Sequence, residues 1–321
     1  MSDCGKEAGM GFWEEVNLVH VVITGGKGFV GRALSRHLAD RGHRVTVLTR
    51  GAPDVKIAPR NLEVVRWNPA LPDPALFTGT DAIVNLAGES IALGRWSAEA
   101  KQRILSSRVD TTRALVNALQ AADPRPRVLV SASAVGYYGD RGNEDLNEES
   151  GPGDDFLARV CVAWEAEARA AGGFGVRVVL ARFGMVLGPG GGLLSRMITP
   201  FRLGLGGPLG SGRQWMSWVH LEDAAAAIML ALKADRLHGP INVTAPHPVR
   251  NLEFARIMGR ILGRPSFLPV PAAALRLVLG EMADLLLTGQ RVFPARLKAL
   301  GFQHRFSNLA DALKDALGKS D

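Results

Sequence analysis

The stretch from Leu18 to Gly31, LVHVVITGGKGFVG, limits what this chain can fold into more than any other. Five of the six residues from Leu18 to Ile23 are apolar. A run that short and that apolar forms a strand buried on both faces, as in a parallel sheet. Gly25, Gly28 and Gly31 follow at intervals of three, and Phe29, Val30, Ala33, Leu34 and Leu38 then recur at helical spacing. The order is therefore strand, glycine turn, helix. The free N–H groups of the helix's first turn and its positive dipole end face back over the turn, where a pyrophosphate can sit. In that arrangement Gly25 makes the turn tight, Gly28 lets phosphates approach the backbone, and Gly31 lets the helix pack closely on the strand. A glycine spacing alone is a weak signal, but between a strand and a helix it reads as a dinucleotide site. The expected contacts there are Gly25, Lys27, Gly28, Phe29, Val30 and Gly31.

A second strand, Arg44 to Leu48, ends at Thr49-Arg50-Gly51. About 20 residues past such a glycine turn, an acidic side chain would hydrogen-bond the ribose 2′-hydroxyl of NAD. Arg50 stands there instead, and a planar guanidinium suits a 2′-phosphate. With Lys27 in the same neighbourhood, NADP(H) is the expected cofactor ahead of NAD; the alternative is that both are solvated cations at loop tips. Leu62 to Arg66 reads as a third strand and Asp81 to Glu89 as a fourth, whose end, Leu86-Ala87-Gly88, should lie beside the first glycine turn. In the helix expected over Ala98 to Ala121, Arg108 sits at the edge of the apolar stripe. A cation there needs a partner, and a cofactor phosphate and a buried carboxylate are both open. A fifth strand, Arg127 to Ser131, leads into SASAVGYYG; a helix over 154–170 and a sixth strand over 176–181 follow.

From Gly184 the chain turns glycine-rich, with helices near 193–203, from about Asp223 and over 252–262, a strand over 241–244, and a helical block after Pro269. Alternating strands and helices call for an α/β fold, a Rossmann doubly wound parallel sheet with a smaller C-terminal substrate lobe. The expected organisation is a loosely attached extension over 1–17, a nucleotide-binding domain over 18–235 whose substrate-lobe elements begin near 184, and a small helical domain over 269–317.

Composition removes several function classes. No run of about 18 apolar residues exists to cross a membrane, and the first 17 residues lack the pattern of a secretory signal. Two cysteines, Cys4 and Cys161, are too few for a disulfide framework and suit a reducing cytoplasm. The formal charge is +7, but Lys and Arg are scattered, which reads as a solvated surface rather than a nucleic-acid footprint. No spacing of His, Cys and carboxylates suggests a metal. The expected partners are a small-molecule substrate and, as one option, a second copy of the chain.

TGGKGFVG, NLAG, VSASAVGYYG and WVHLEDAA resemble, in order, the extended short-chain dehydrogenases/reductases, which include nucleotide-sugar epimerases and dehydratases. NLAGESI, SSRVDTT, DDFLARVCVAWEAEA, VVLARFGMVLGPGGG and PFRLGLGGPLGSGRQWMSWVH narrow the resemblance to an atypical, epimerase-like subfamily with a C-terminal domain of unknown function. The resemblance implies cofactor contacts at Thr49, Arg50, Leu86, Ala87 and Gly88, and it favours a ligand as the partner of Arg108. It also implies a catalytic Tyr four residues before a Lys, whose ammonium lowers the phenol's pKa. Aligned on Glu165, those positions hold Leu157 and Cys161, and neither can do that chemistry. Ser133 matches the superfamily's active-site serine. Tyr137 and Tyr138, the only tyrosines in the chain, are the remaining catalytic candidates, and Arg213 and Trp215 the substrate-side ones. Trp218 and His220 read more simply as core and as support for the following helix. Two functions stay open: an NADP(H)-dependent oxidoreductase or epimerase-like enzyme on a small, anionic substrate, and a catalytically silent NADP(H)-binding sensor.

Overall fold

The computed structural model describes residues 19–51, 59–92 and 94–319, so Leu18 and the extension expected over 1–17 lie outside it. The nucleotide-binding half runs β1 (His20–Thr24), α1 (Phe29–Asp40), β2 (Arg44–Thr49), β3 (Leu62–Arg66), β4 (Ala82–Asn85), α2 (Ala98–Ala121), β5 (Val128–Ala134), β6 (Asp145–Leu146), α3 (Phe156–Arg169) and β7 (Arg177–Phe183). The second half runs β8 (Met185–Leu187), α4 (Leu194–Arg202), β9 (Trp215–Met216), β10 (Trp218–His220), α5 (Leu221–Lys233), β11 (Gly239–Val243), β12 (Val249–Arg250) and α6 (Asn251–Leu262). The C-terminal block adds α7 (Ala272–Leu279), α8 (Asp284–Leu287), β13 (Arg291–Val292), α9 (Ala295–Ala299) and α10 (Leu309–Ala316).

Among the described residues, seven strands form one sheet in the order β11-β7-β5-β4-β1-β2-β3, with every neighbouring pair parallel. Strand order reverses between β1 and β4, which opens the crevice at their C-terminal ends. The period-two alternation of strand side chains decides what each face buries. Val21 and Ile23 of β1 join Val45, Val84 and Val130 against Leu34 and Leu38 of α1 and Ala224 and Ile228 of α5. Val22, between them, joins Ile83 and Leu129 on the opposite face, against Leu115 and Leu119 of α2 and Ala168 of α3. The apolar run that began the sequence is thus a central strand shared by two cores.

Several boundaries differ from those the sequence suggests. β4 stops at Asn85, whose side chain is fully used: its Oδ1 accepts from Thr24 Oγ1 (2.7 Å) while its Nδ2 donates to Thr112 Oγ1 (2.9 Å) and Ser131 Oγ (3.2 Å). β5 and β7 run on to Ala134 and Phe183, carrying polar residues that hydrophobicity alone would end a strand at. The two-residue pairings of β13 with β6 and of β12 with β9 are too short to leave a period. The helical block after Pro269 is also less separate than its sequence suggests. Leu309 and Leu313 of α10 share a core with Trp218, Phe201 of α4 and Phe254 of α6, while Leu297 of α9 joins the core beneath the main sheet.

The first glycine turn is held by backbone contact. Gly25 has φ +69°, and a Cβ there would lie 2.5 Å from the carbonyl oxygen of Leu86. We expect Gly25→Ala to destabilise the protein by at least about 1–2 kcal/mol, the cost of a left-handed conformation for an L-residue. A urea unfolding midpoint equal to that of the unaltered protein would show that the turn can move away from Leu86.

Candidate functional site

The cofactor side is built from the C-terminal ends of β1, β2 and β4. The Gly28 N–H donates to Gly25 O (2.8 Å), closing the turn. Gly28 is the N-cap of α1 and offers no side chain to cap it, so the N–H groups of the first turn, over Phe29, Val30 and Gly31, stay available to an anion. Lys27 lies within this turn, and its carbonyl accepts from Arg32 (2.7 Å). Gly31 is tight for a reason the spacing does not give: a Cβ there would meet Gly25 O at 2.4 Å, within the turn itself rather than on the strand. Gly26, which the sequence reading passed over, is equally constrained, because a Cβ would meet Val47 of β2 at 2.6 Å. Across the turn, Leu86 N–H donates to Thr24 O (3.1 Å), so Leu86 and Ala87 do stand beside the glycines. A second glycine cluster closes over the same place. Gly188, Gly191 and Gly192 all face the Phe29 ring, where Cβ atoms would come within 3.2, 2.4 and 3.0 Å. The composition there suggested only a loop.

At the tip of β2, Arg50 is exposed and Thr49 Oγ1 accepts from the Gly51 N–H (3.3 Å). Arg108 is mostly buried. Its guanidinium donates to the carbonyls of Ile104 (3.0 Å) and Glu89 (2.9 Å), and it packs so closely on Gly88 that a Cβ there would come within 3.2 Å. Burial lowers its pKa, and the nearby Cys161 and Glu89 charges oppose the shift only in part. No carboxylate lies within ion-pair distance of it among the described residues. A desolvated cation held by backbone carbonyls keeps donors to spare for a ligand.

The expected catalytic residues sit in one buried polar chain. The Ser133 hydroxyl donates to Glu165 Oε1 (2.8 Å), and Glu165 accepts both Nε (2.7 Å) and Nη2 (2.9 Å) of Arg182. Arg182 Nη1 donates to Tyr138 Oη (3.0 Å), whose own proton goes to Asn242 Oδ1 (2.7 Å). Burial alone would lower the pKa of Arg182, but Glu165 more than offsets it and the net shift is upward. Tyr138 is fully buried and burial raises its phenol. A phenol with no exposure and both hydrogen bonds made inside the protein, Tyr138 ties the end of β5 to β7 and β11 and has no open face toward the cleft. Ser133 is placed at the strand end, with its proton already committed. Tyr137 is half-buried, with the Arg182 guanidinium 3.5 Å from its ring centroid, and its hydroxyl has no acid–base partner among the described residues. Cys161 lies beside Ser133; burial first, then the Glu165 charge, push its thiol up to about 11.

On the substrate side, Trp215 is half-buried and donates its Nε1 hydrogen to Asn143 Oδ1 (3.2 Å). The guanidiniums of Arg250 and Arg291 lie 3.9 and 4.7 Å from its ring, so its stacking partners are the protein's own arginines. Arg250 also donates to Asn143 and to the Arg213 carbonyl. Asn143, Gly212, Arg213, Arg250 and Leu252 line a cleft of about 380 Å³. Arg250 and Arg291 were not foreseen, since scattered arginines carry no spacing signal. Trp218 is core, its Nε1 donating to His247 O (3.0 Å). His220 caps α5, Nδ1 accepting from the Glu222 N–H (3.3 Å), and its Nε2 is 3.1 Å from Asp315 of α10. A larger hollow of about 540 Å³ lies at the opposite end of the sheet, around Asp123 to Arg127. It is remote from the strand ends where these charged groups converge.

A parallel sheet with an uncapped glycine turn at its crevice defines the class of NAD(P)-binding Rossmann proteins. Residues 21–244 match the NAD-dependent epimerase/dehydratase family, and residues 270–316 match a domain of unknown function. The chain belongs to that epimerase/dehydratase family. It is 44% identical over 296 residues to the epimerase family protein Mb2239 of Mycobacterium bovis, covering 91% of this chain and 96% of the relative. The Bacillus subtilis epimerase family protein YfhF is 40% identical, with 93% and 98% covered. The crystal structure of human epimerase family protein SDR39U1 (isoform 2) with NADPH superposes with a TM-score of 0.85 at 39% identity, covering 94% of this chain and all of that one.

The state of Cys161 is directly measurable. In a Cys4→Ser background we expect iodoacetamide at pH 8 to leave the native protein unmodified, since about 0.1% of a thiol with a pKa near 11 is thiolate at that pH. Labelling should become complete in urea. Rapid alkylation of the native protein, followed by mass spectrometry, would show an accessible thiolate instead.

Proposed function

We propose that the protein is an NADP(H)-dependent oxidoreductase or epimerase-like enzyme acting on a small-molecule substrate. The observation that carries this is the uncapped first turn of α1 facing Leu86, with Arg50 at the neighbouring strand tip. When bound, the nicotinamide supplies hydride exchange. This chain's residues do the rest. The backbone over Gly25–Gly31 holds the pyrophosphate with Lys27 alongside, Arg50 and Thr49 take the 2′-phosphate side, and Leu86, Ala87 and Gly88 give the cofactor's inner edge a surface without side-chain bulk. Arg108, without a carboxylate of its own, supplies positive charge at that edge. Ser133 presents oxygen lone pairs, because Glu165 takes its proton. Arg213 and Arg250 beside Trp215 give an anionic substrate a basic cleft. The NADPH bound to the human relative supports the same cofactor here.

The second reading is a catalytically silent NADP(H)-binding sensor, favoured by Leu157 and Cys161 at the positions where the wider superfamily has Tyr and Lys. NADPH turnover on any member of a carbonyl and quinone panel, reduced in Ser133→Ala, would exclude it.

The cofactor assignment has its own test. A charge-assisted hydrogen bond contributes about 1.5–3 kcal/mol, so we expect Arg50→Ala to lower the ratio of NADPH to NADH affinity by about tenfold or more. An unchanged ratio by calorimetry would remove Arg50 as the 2′-phosphate ligand.

A further inference from the structure

The strand-end pocket has an unusual proton inventory. Leu157 packs on Gly136 at the position of the missing phenol; a Cβ on Gly136 would lie 3.5 Å from that of Leu157. Ser133 gives its proton to Glu165, which pairs with Arg182, so its oxygen only accepts. Tyr138 gives its proton to Asn242. Cys161 is buried, with its thiol at about 11. What this end of the sheet does hold is a partly buried cation, Arg108, packed on Gly88 and near enough to Cys161 for the two to shift each other's titration. It is a site with a cation and, apart from the Tyr137 hydroxyl, which no described acid or base partners, no acid.

Its wall is apolar. Phe156 and Trp96 meet edge to face, ring centroids 5.4 Å apart, and both are half-exposed, as are Leu157, Val135 and Tyr137. A sugar ring laid against such a wall would leave hydroxyls unpaired, at a cost of roughly 1–3 kcal/mol each. A flat conjugated ring would not.

Resting on the oxidoreductase reading above, we propose that the acceptor reduced at this site is a quinone. An aldehyde or ketone that receives hydride becomes an alkoxide and needs a proton in the same step; lacking a general acid forfeits about 10²–10⁴-fold in rate. A quinone has no such need. It takes one hydrogen, with both electrons of the broken C–H bond, from the reduced nicotinamide. One carbonyl oxygen gains an O–H bond, and the other becomes a hydroquinone oxyanion, its charge spread over the ring. The quinone is reduced by two electrons, the nicotinamide is oxidised by two, and the oxyanion takes its proton from water. Arg108 favours the anionic product by its charge, and Trp96, Phe156 and Leu157 favour the flat ring.

The test begins without turnover. A small naphthoquinone is titrated by calorimetry into protein saturated with NADP⁺, with Leu157→Asp as the variant. Saturable binding, weakened at least about tenfold in the variant while its NADP⁺ affinity is unchanged, is the expected result. NADPH oxidation is then followed with the naphthoquinone, benzaldehyde and a UDP-4-keto sugar, subtracting the rate without protein. We expect turnover on the quinone alone. Turnover on benzaldehyde or the UDP-4-keto sugar, or NADPH binding with no quinone binding, would each overturn the proposal. Failure to bind NADPH at all would overturn the oxidoreductase reading, and this one with it.

Discussion

The ion pair between Glu165 and Arg182 is what the site end of the molecule hangs on. Both side chains are almost wholly buried, at 3% and 2% exposure. Removing one partner of such a pair leaves an uncompensated charge and costs about 3–5 kcal/mol. The geometry repays the desolvation only because it is bidentate and because the remaining hydrogen-bonding capacity is used, by Ser133 on one side and Tyr138 on the other. Through those bonds one pair joins α3 to the ends of β5 and β7, and through Asn242 it reaches β11 and the carbonyl of Phe293 (3.0 Å). A chain of that kind fixes where the strand ends point more firmly than apolar packing would, because polar groups have few satisfactory arrangements.

The same logic explains why the C-terminal block belongs to the site. Glu148 Oε1 accepts from the backbone N–H of Asn242 (3.0 Å) and of Arg296 (3.2 Å). Asp223, at the start of α5, accepts from the N–H groups of Arg305 and Phe306. Arg291, from the block's only described strand, pairs with Asp145 (2.6 Å) and lies against Trp215. A segment recognisable only as a domain of unknown function thus supplies one of the two guanidiniums around the substrate-side tryptophan.

What the sequence made legible follows the range of each signal. The apolar period and the glycine spacing are local, and they placed β1, α1, the turn between them and the Leu86–Gly88 edge. Arg108 stood out because a cation on an apolar stripe is locally anomalous. Tyr138 is the complementary case: its partners are Arg182 and Asn242, 44 and 104 residues away along the chain, and no local pattern reports such partners. Arg250 and Arg291 were hidden the same way, two arginines among many until the fold brings both to Trp215. The helical look of 269–317 was correct in kind, yet its packing into two other cores was invisible because apolar spacing says which face is buried and not against what.

Binding and chemistry are separable in this architecture, and the separation is physical. The dinucleotide elements depend on backbone: an uncapped helix turn, a glycine pressed on Leu86, a guanidinium lying on Gly88. They survive almost any change in the side chains of α3. The positions where the wider superfamily carries its Tyr and Lys are instead side chains of α3, Leu157 and Cys161, set beside Ser133 at the end of β5. A Rossmann sheet can therefore keep its cofactor site while exchanging acid–base chemistry for an apolar wall and a buried cation. Once that exchange is made, a substrate's suitability turns on whether it can carry the negative charge itself.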